Sequence, residues 1–128
     1  MIQEKTHIGA LHQQHVDWKE ELLFTRDELN FFEKRLEEIA SKNTDADTST
    51  KVEHFQNQFI IQREQIDALL HHIEKHEEEI AHFAEDHPVA VDHHLFQSHG
   101  DMIEKMKTFH ELYQQLKTEF LHFVASAL

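Results

Sequence analysis

Apolar residues recur along this chain at alternating steps of three and four, the near-heptad period of helices that pack side by side. The first such seam is Ile8, Leu11, His15, Trp18, Leu22, Thr25, Leu29, Phe32, Leu36 and Ile39. The second is Val52, Phe55, Phe59, Gln62, Ile66, Leu69, Ile73, His76, Ile80, Phe83 and His87. The third is Leu95, His99, Met102, Met106, Phe109, Tyr113, Leu116, Phe120 and Phe123. Two breaks divide them. Residues 41–50, SKNTDADTST, are polar and short, with Asn43 placed to end one helix and Thr50 with Glu53 spaced as a capping box for the next. At Asp86-His87-Pro88 the proline cannot continue a helix but fits the first turn of a new one.

The pattern predicts an all-α, antiparallel up-down-up bundle of three long helices, over about 3–42, 50–86 and 88–126, forming a single domain over residues 1–128. Gly100 is a point where the third helix could break, with Ser98 and Asp101 spaced to restart it; a short segment near 88–97 would then make the arrangement four-helix-like. A second apolar set lies off the seams: Leu23, Phe24, Phe31, Ile60, Ile61 and Leu121. It either thickens the core near the first turn or forms a homodimer seam through Phe24, Phe31, Ile60 and Ile61.

Composition agrees with a helical protein. The chain has 128 residues with only 2 Gly and 1 Pro, and 10 Phe are available to fill a core. No apolar run approaches the roughly 20 residues that span a bilayer, and MIQEKTHIGA lacks the layout of a signal peptide. With no Cys, disulfides and thiolate metal sites are excluded, and a cytoplasmic location is expected. The formal charge of −13 argues against binding to nucleic acid or to an anionic membrane. Protonating all 14 His would carry that charge from −13 to +1, so mild acid should alter solubility and assembly.

The histidines are unevenly spread. Of the 14, all but His54, His110 and His122 fall within 7–15 or 71–99. In an up-down-up bundle with short turns, facing residue numbers add to about 90 across the first turn and about 176 across the second, within roughly a helical turn. His15, His76 and His99, all inward on their seams, then share one layer. It is flanked by Leu11, Ile80 and Leu95 towards the open end and by Trp18, Ile73 and Met102 towards the closed end. Buried imidazoles must be hydrogen-bonded or ligated. Three of them around one axis suit a divalent transition metal such as iron, zinc or copper. His72 and His12 share helix faces with His76 and His15, and Glu79, Asp101 and Glu104 are the nearest carboxylates in sequence. The competing reading is a hydrogen-bonded polar layer without metal. His71, His82, His93 and His94 read as surface residues, and the run Glu77-Glu78-Glu79 as a solvated face.

Glu79-x-x-His82, Glu4-x-x-His7 and Glu119-x-x-His122 have the spacing of di-iron bundle ligands, but His82 and His122 fall off the seams. His72-x-x-x-His76, with inward His15 and His99, resembles the ligand pattern of the hemerythrin family. The resemblance covers part of the chain. His54 is followed by Gln58 where that pattern has Glu, and the nearest His-x-x-x-x-Asp is His87 with Asp92 around the proline. It implies a bundle carrying His and carboxylate ligands with an iron- or oxygen-linked role. No Gly-rich phosphate loop, Gly-x-Ser-x-Gly elbow or Cys nucleophile is present, and Tyr113 reads as core, so no catalytic activity is assigned. Two functions follow: a metal-binding bundle for storage, sensing, or oxygen or peroxide chemistry, or a non-enzymatic acidic interaction module whose inward His respond to pH.

Overall fold

A computed structural model describes the backbone of residues 2–86 and 93–127, and side chains over 9–82 and 98–127. The three seams fold as three helices: α1 Ile2–Lys42, α2 Ala46–Asp86 and α3 His93–Ala127. At 41 residues each, α1 and α2 extend about 60 Å.

The first turn is tighter than the capping-box spacing implies. α2 starts at Ala46, ahead of Thr50, because Asp45 serves as its N-cap. The Asp45 carboxylate accepts from the Thr48 backbone N–H at 3.0 Å and from the Thr48 hydroxyl at 2.9 Å. Those two bonds hold the Asp45 carboxyl below its ordinary range. Thr50 lies inside the helix, its hydroxyl donating to the Ala46 carbonyl at 2.9 Å. At the end of α1, the Asn43 backbone and side-chain amides both donate to the Ile39 carbonyl at 3.0 Å. α3 runs unbroken through Gly100, so the four-segment alternative does not form among the described residues. Ile8, Phe83, His87, Leu95 and the proposed helix start at Pro88 lie outside the residues described at that level.

Helix directions follow from the cross-links. His12 with Glu77 and Asn30 with Arg63 are 65 and 33 residues apart, so the separation shrinks towards the turn and α1 runs antiparallel to α2. Gln14 with His99 and Glu28 with Tyr113 are both 85 apart, so α1 and α3 run parallel. α1 packs most extensively on α2 and least on α3.

Every seam position with a described side chain is buried. Near the first turn the core is aromatic: Phe120 sits 5.0 Å from Phe32, 5.3 Å from Phe55 and 5.1 Å from Phe59, centroid to centroid. Such ring pairs add about 0.5–1.5 kcal/mol each beyond area burial. Further along, Tyr113 donates to Glu28 at 2.6 Å and Lys117 donates to the same carboxylate at 2.9 Å, tying α3 to α1. Burial, then the Glu28 bond and its charge, push the Tyr113 phenol far above its ordinary range, so it stays a neutral donor.

The off-seam apolar residues stay outside. Phe24, Phe31, Ile60, Ile61 and Leu121 are exposed, and Leu23 is half-buried. They do not share one groove: Phe24, Phe31 and Leu121 line the α1–α3 side, whereas Ile61 and Leu112 line the α2–α3 side. No helix is long and apolar enough to cross a membrane among the described residues.

Candidate metal centre

The heptad register that turns Leu and Ile inward along each helix also turns in, among the described residues, one histidine from each helix. His15 from α1, His76 from α2 and His99 from α3 are buried at 2%, 5% and 4% exposure. One nitrogen from each lies within 4.8 Å of the other two. Ring centroids are 5.0 Å apart for His15 and His76, 5.2 Å for His15 and His99, and 5.6 Å for His76 and His99. Ile73, Met102 and Trp18 are buried on the closed side, with Trp18 stacked on His99 at 5.2 Å and 21°. Leu11 and Ile80 are buried on the other side.

Hydrogen bonds fix how the rings are turned. The His15 Nδ1–H donates to Glu77 Oε1 at 2.6 Å. This leaves the lone pair of His15 Nε2 facing His76 Nδ1, 3.1 Å away. The His99 Nε2–H donates to Gln14 Oε1 at 2.6 Å, so the acceptor nitrogen of that ring is Nδ1. That Nδ1 is buried and has no hydrogen-bond partner among the described residues. Two of the three imidazoles thus have their protons drawn outward by acceptors, with a lone pair left on the inner side. Metal-binding histidines are oriented in this way, and a carboxylate behind the ring raises its basicity as a ligand.

Charge supports the same picture. Burial, then the neighbouring His15 and His76, lower the His99 pKa to about 4, so His99 is neutral at pH 7, as a ligand must be. Burial alone would raise the Glu77 carboxyl, but bonds from His12 and His15 and their charge outweigh it and leave it below its ordinary range. Glu77 is therefore an anion, shared between buried His15 and His12, which is 63% exposed and 3.0 Å away.

A tetrahedral ion with metal–nitrogen distances of about 2.0–2.1 Å spaces its ligand nitrogens about 3.3–3.4 Å apart. The 3.1 Å contact between His15 Nε2 and His76 Nδ1 is a hydrogen bond, and one nitrogen of each of the three rings lies within 4.8 Å of the other two. The three imidazoles could hold a metal ion.

The other residues expected at the site are placed around it. His72 and Glu79 are exposed, and with Lys75, Ser98 and Asp101 they border a cleft of about 240 Å3 that reaches His76 between α2 and α3. His12 reaches Glu77, and neither His12, His72 nor Glu79 belongs to the converging trio. His82, His110 and His122 are exposed, whereas the side chains of His93 and His94 fall outside those described. The reading of Glu77 as part of a solvated face is corrected: it is half-buried against α1 and holds His15. Gln14 was also unsuspected. The facing rule contained the signal, since it sets residue 77 opposite about residue 13, between His12 and His15. Comparison with protein-family models, with curated proteins and with solved structures finds no match for this chain.

Proposed function

We propose that this chain is a metal-binding bundle that takes up one divalent transition-metal ion, iron, zinc or copper, through His15, His76 and His99. The observation that carries the reading is the inward convergence of three buried imidazoles, with outer acceptors on His15 and His99. An all-nitrogen donor set without thiolate suits these metals rather than calcium or magnesium. The formal charge of −13 favours cation uptake. His72, Glu79 and Asp101 border the cleft through which an ion or a small ligand would reach His76. Storage or sensing is the role proposed for such a site.

The test is the thermal midpoint of untagged protein before and after EDTA, in wild type and in His76→Ala. A ligand that binds only the folded state raises stability by about 2.7 kcal/mol at one hundred times its Kd. The midpoint should drop on chelation in the wild type and stay unchanged in the variant. A midpoint indifferent to EDTA and to added metal would reject the reading. The hemerythrin-like pattern would imply, as a narrower proposal, iron with an oxygen-linked role. A visible absorption change when iron(II)-loaded protein meets oxygen supports that narrower proposal, and its absence removes it.

A second reading is favoured by one observation: the His15 bonds to Glu77 and His76 satisfy much of the layer without metal. The bundle would then be a pH-responsive acidic interaction module. Metal-free protein of full stability whose mass changes between neutral and mildly acidic solution would support it.

A further inference from the structure

α3 packs less on α1 than on α2, yet the ring of His99 is held from α1 on two sides. Trp18 stacks on its face, with centroids 5.2 Å apart and planes at 21°. Gln14, half-buried and next to His15 in the chain, presents Oε1 to the edge of the ring, 2.6 Å from Nε2. The stacked face sets the ring plane, and the contact at the edge sets which nitrogen carries the proton. A neutral imidazole has one N–H and one lone pair, and an amide oxygen only accepts. Nε2 of His99 therefore carries the proton, and Nδ1 is its one nitrogen with a lone pair.

His15 has the opposite arrangement. Its Nδ1–H donates to Glu77 at 2.6 Å, so its lone pair is on Nε2. The helices divide the work in the same way. α1 carries His15 with Gln14 beside it, and Gln14 serves His99 of α3. α2 carries His76 with Glu77 beside it, and Glu77 serves His15 of α1. The two lone pairs differ in one respect. His15 Nε2 lies 3.1 Å from His76 Nδ1, a hydrogen bond that satisfies it without an ion. His99 Nδ1 is buried and has no hydrogen-bond partner among the described residues. A buried acceptor without a donor is disfavoured, so an ion satisfies His99 where the hydrogen-bonded layer does not.

We propose that Gln14 is the positioning residue for His99, and that the metal is ligated through unlike nitrogens, Nε2 of His15 and Nδ1 of His99. This inference rests on the metal-binding reading and deepens it. Gln14 acts through His99 as Glu77 acts through His15, with a neutral amide behind one ring and a carboxylate behind the other. Groups behind a metal-binding imidazole fix its tautomer and orientation, and their loss typically costs about 10- to 100-fold in affinity. An amide polarises the ring less than a carboxylate does, which places Gln14 at the lower end, about tenfold.

The probe is zinc, which is diamagnetic. It is titrated into the isotopically labelled full chain, and long-range proton–nitrogen correlation spectra tell Nδ1 from Nε2 in each assigned ring. The expected result is that His15 Nε2 and His99 Nδ1 leave the free lone-pair range, while His15 Nδ1 and His99 Nε2 stay protonated. These spectra use the wild-type chain, so they decide the ligating nitrogen even if a variant folds poorly. Gln14→Leu removes the acceptor and should weaken zinc binding by about tenfold, read by competition with a chromophoric chelator. Gln14→Glu restores an acceptor and should bind at least as tightly as the wild type. Gln13→Leu is the control: Gln13 is exposed and donates to Asp17 of its own helix at 3.1 Å, and its loss should leave affinity unchanged. Zinc held through His99 Nε2 would overturn the proposal. So would equal affinities of Gln14→Leu and Gln13→Leu, or a Gln14→Glu variant as weak as Gln14→Leu. Those results leave the metal-binding reading in place, because zinc is still bound. A wild-type chain that takes up no zinc would remove that reading and this inference with it.

Discussion

Glu77 is the residue that would distinguish the proposed metal-ligand layer from a merely buried cluster of histidines. It accepts from His15 at 2.6 Å and so fixes which nitrogen of that ring faces inward. Glu77→Gln keeps the shape but removes the charge behind the ring. Metal affinity should fall about 10- to 100-fold, as is usual when the group behind a ligand is lost, read by competition with a chromophoric chelator. Glu79→Gln, on an exposed residue outside the trio, is the control and should change affinity little. Equal effects of the two would remove Glu77 from the site. Without metal, the same layer predicts a pH dependence. His99 is held at about 4 against an ordinary value of 6.5, so the unfolded chain binds more protons between those values and stability falls as pH drops through that window. Glu77, with its lowered pKa, adds stability that is also lost in acid. Denaturant midpoints of EDTA-treated protein should therefore decline from about pH 6.5 towards pH 4, and a flat profile would contradict the protonation pattern. At this scale the sequence was partly legible. His15, His76 and His99 stood on apolar seams, and the facing rule joined them. Glu77 and Gln14 were missed because each lies one position off a seam, where periodicity reads solvent while the side chain still reaches a neighbouring helix.

Among the helices, α3 meets a local cost at Gly100 and continues. A glycine inside a helix is disfavoured by about 1 kcal/mol relative to alanine, too little to break an element whose Met102, Met106 and Phe109 are all buried on the same seam. An added Cβ at Gly100 would meet nothing within 4 Å, and its φ is ordinary. Gly100→Ala should thus stabilise the protein by about 0.5–1 kcal/mol, measured by urea denaturation. Destabilisation would mean that α3 needs flexibility beside His99. The start of α2 shows the opposite limit of sequence reading. Thr50 with Glu53 had the capping-box spacing, yet Asp45 caps the helix from the polar segment itself. Several Asx and Thr residues in a row offer competing caps, and spacing alone does not choose among them.

For the molecule as a whole, heptad seams in all three helices made the bundle legible, because every described seam side chain is buried. What lies off the seams was harder to read, since an exposed apolar residue looks alike in sequence whether it thickens a core or awaits a partner. α1 and α3 pack least closely, and between them Phe24, Phe31 and Leu121 line an open groove of about 450 Å3. The homodimer expected from sequence remains a proposal, now centred on this groove, where a second copy would bury both Phe residues. Sedimentation should then show a dimer that Phe24→Glu with Phe31→Glu dissociates; a wild-type monomer at high concentration would reject it.

The histidine layer is proposed as the protein's metal site. Its most direct test is elemental analysis of untagged protein purified without chelator, beside a variant carrying His15→Ala, His76→Ala and His99→Ala whose helicity is verified by circular dichroism. The expected result is close to one iron, zinc or copper ion per wild-type chain and none retained by the variant. Wild-type protein that carries no metal and takes none up on incubation, or a variant that binds as much as the wild type, would contradict it.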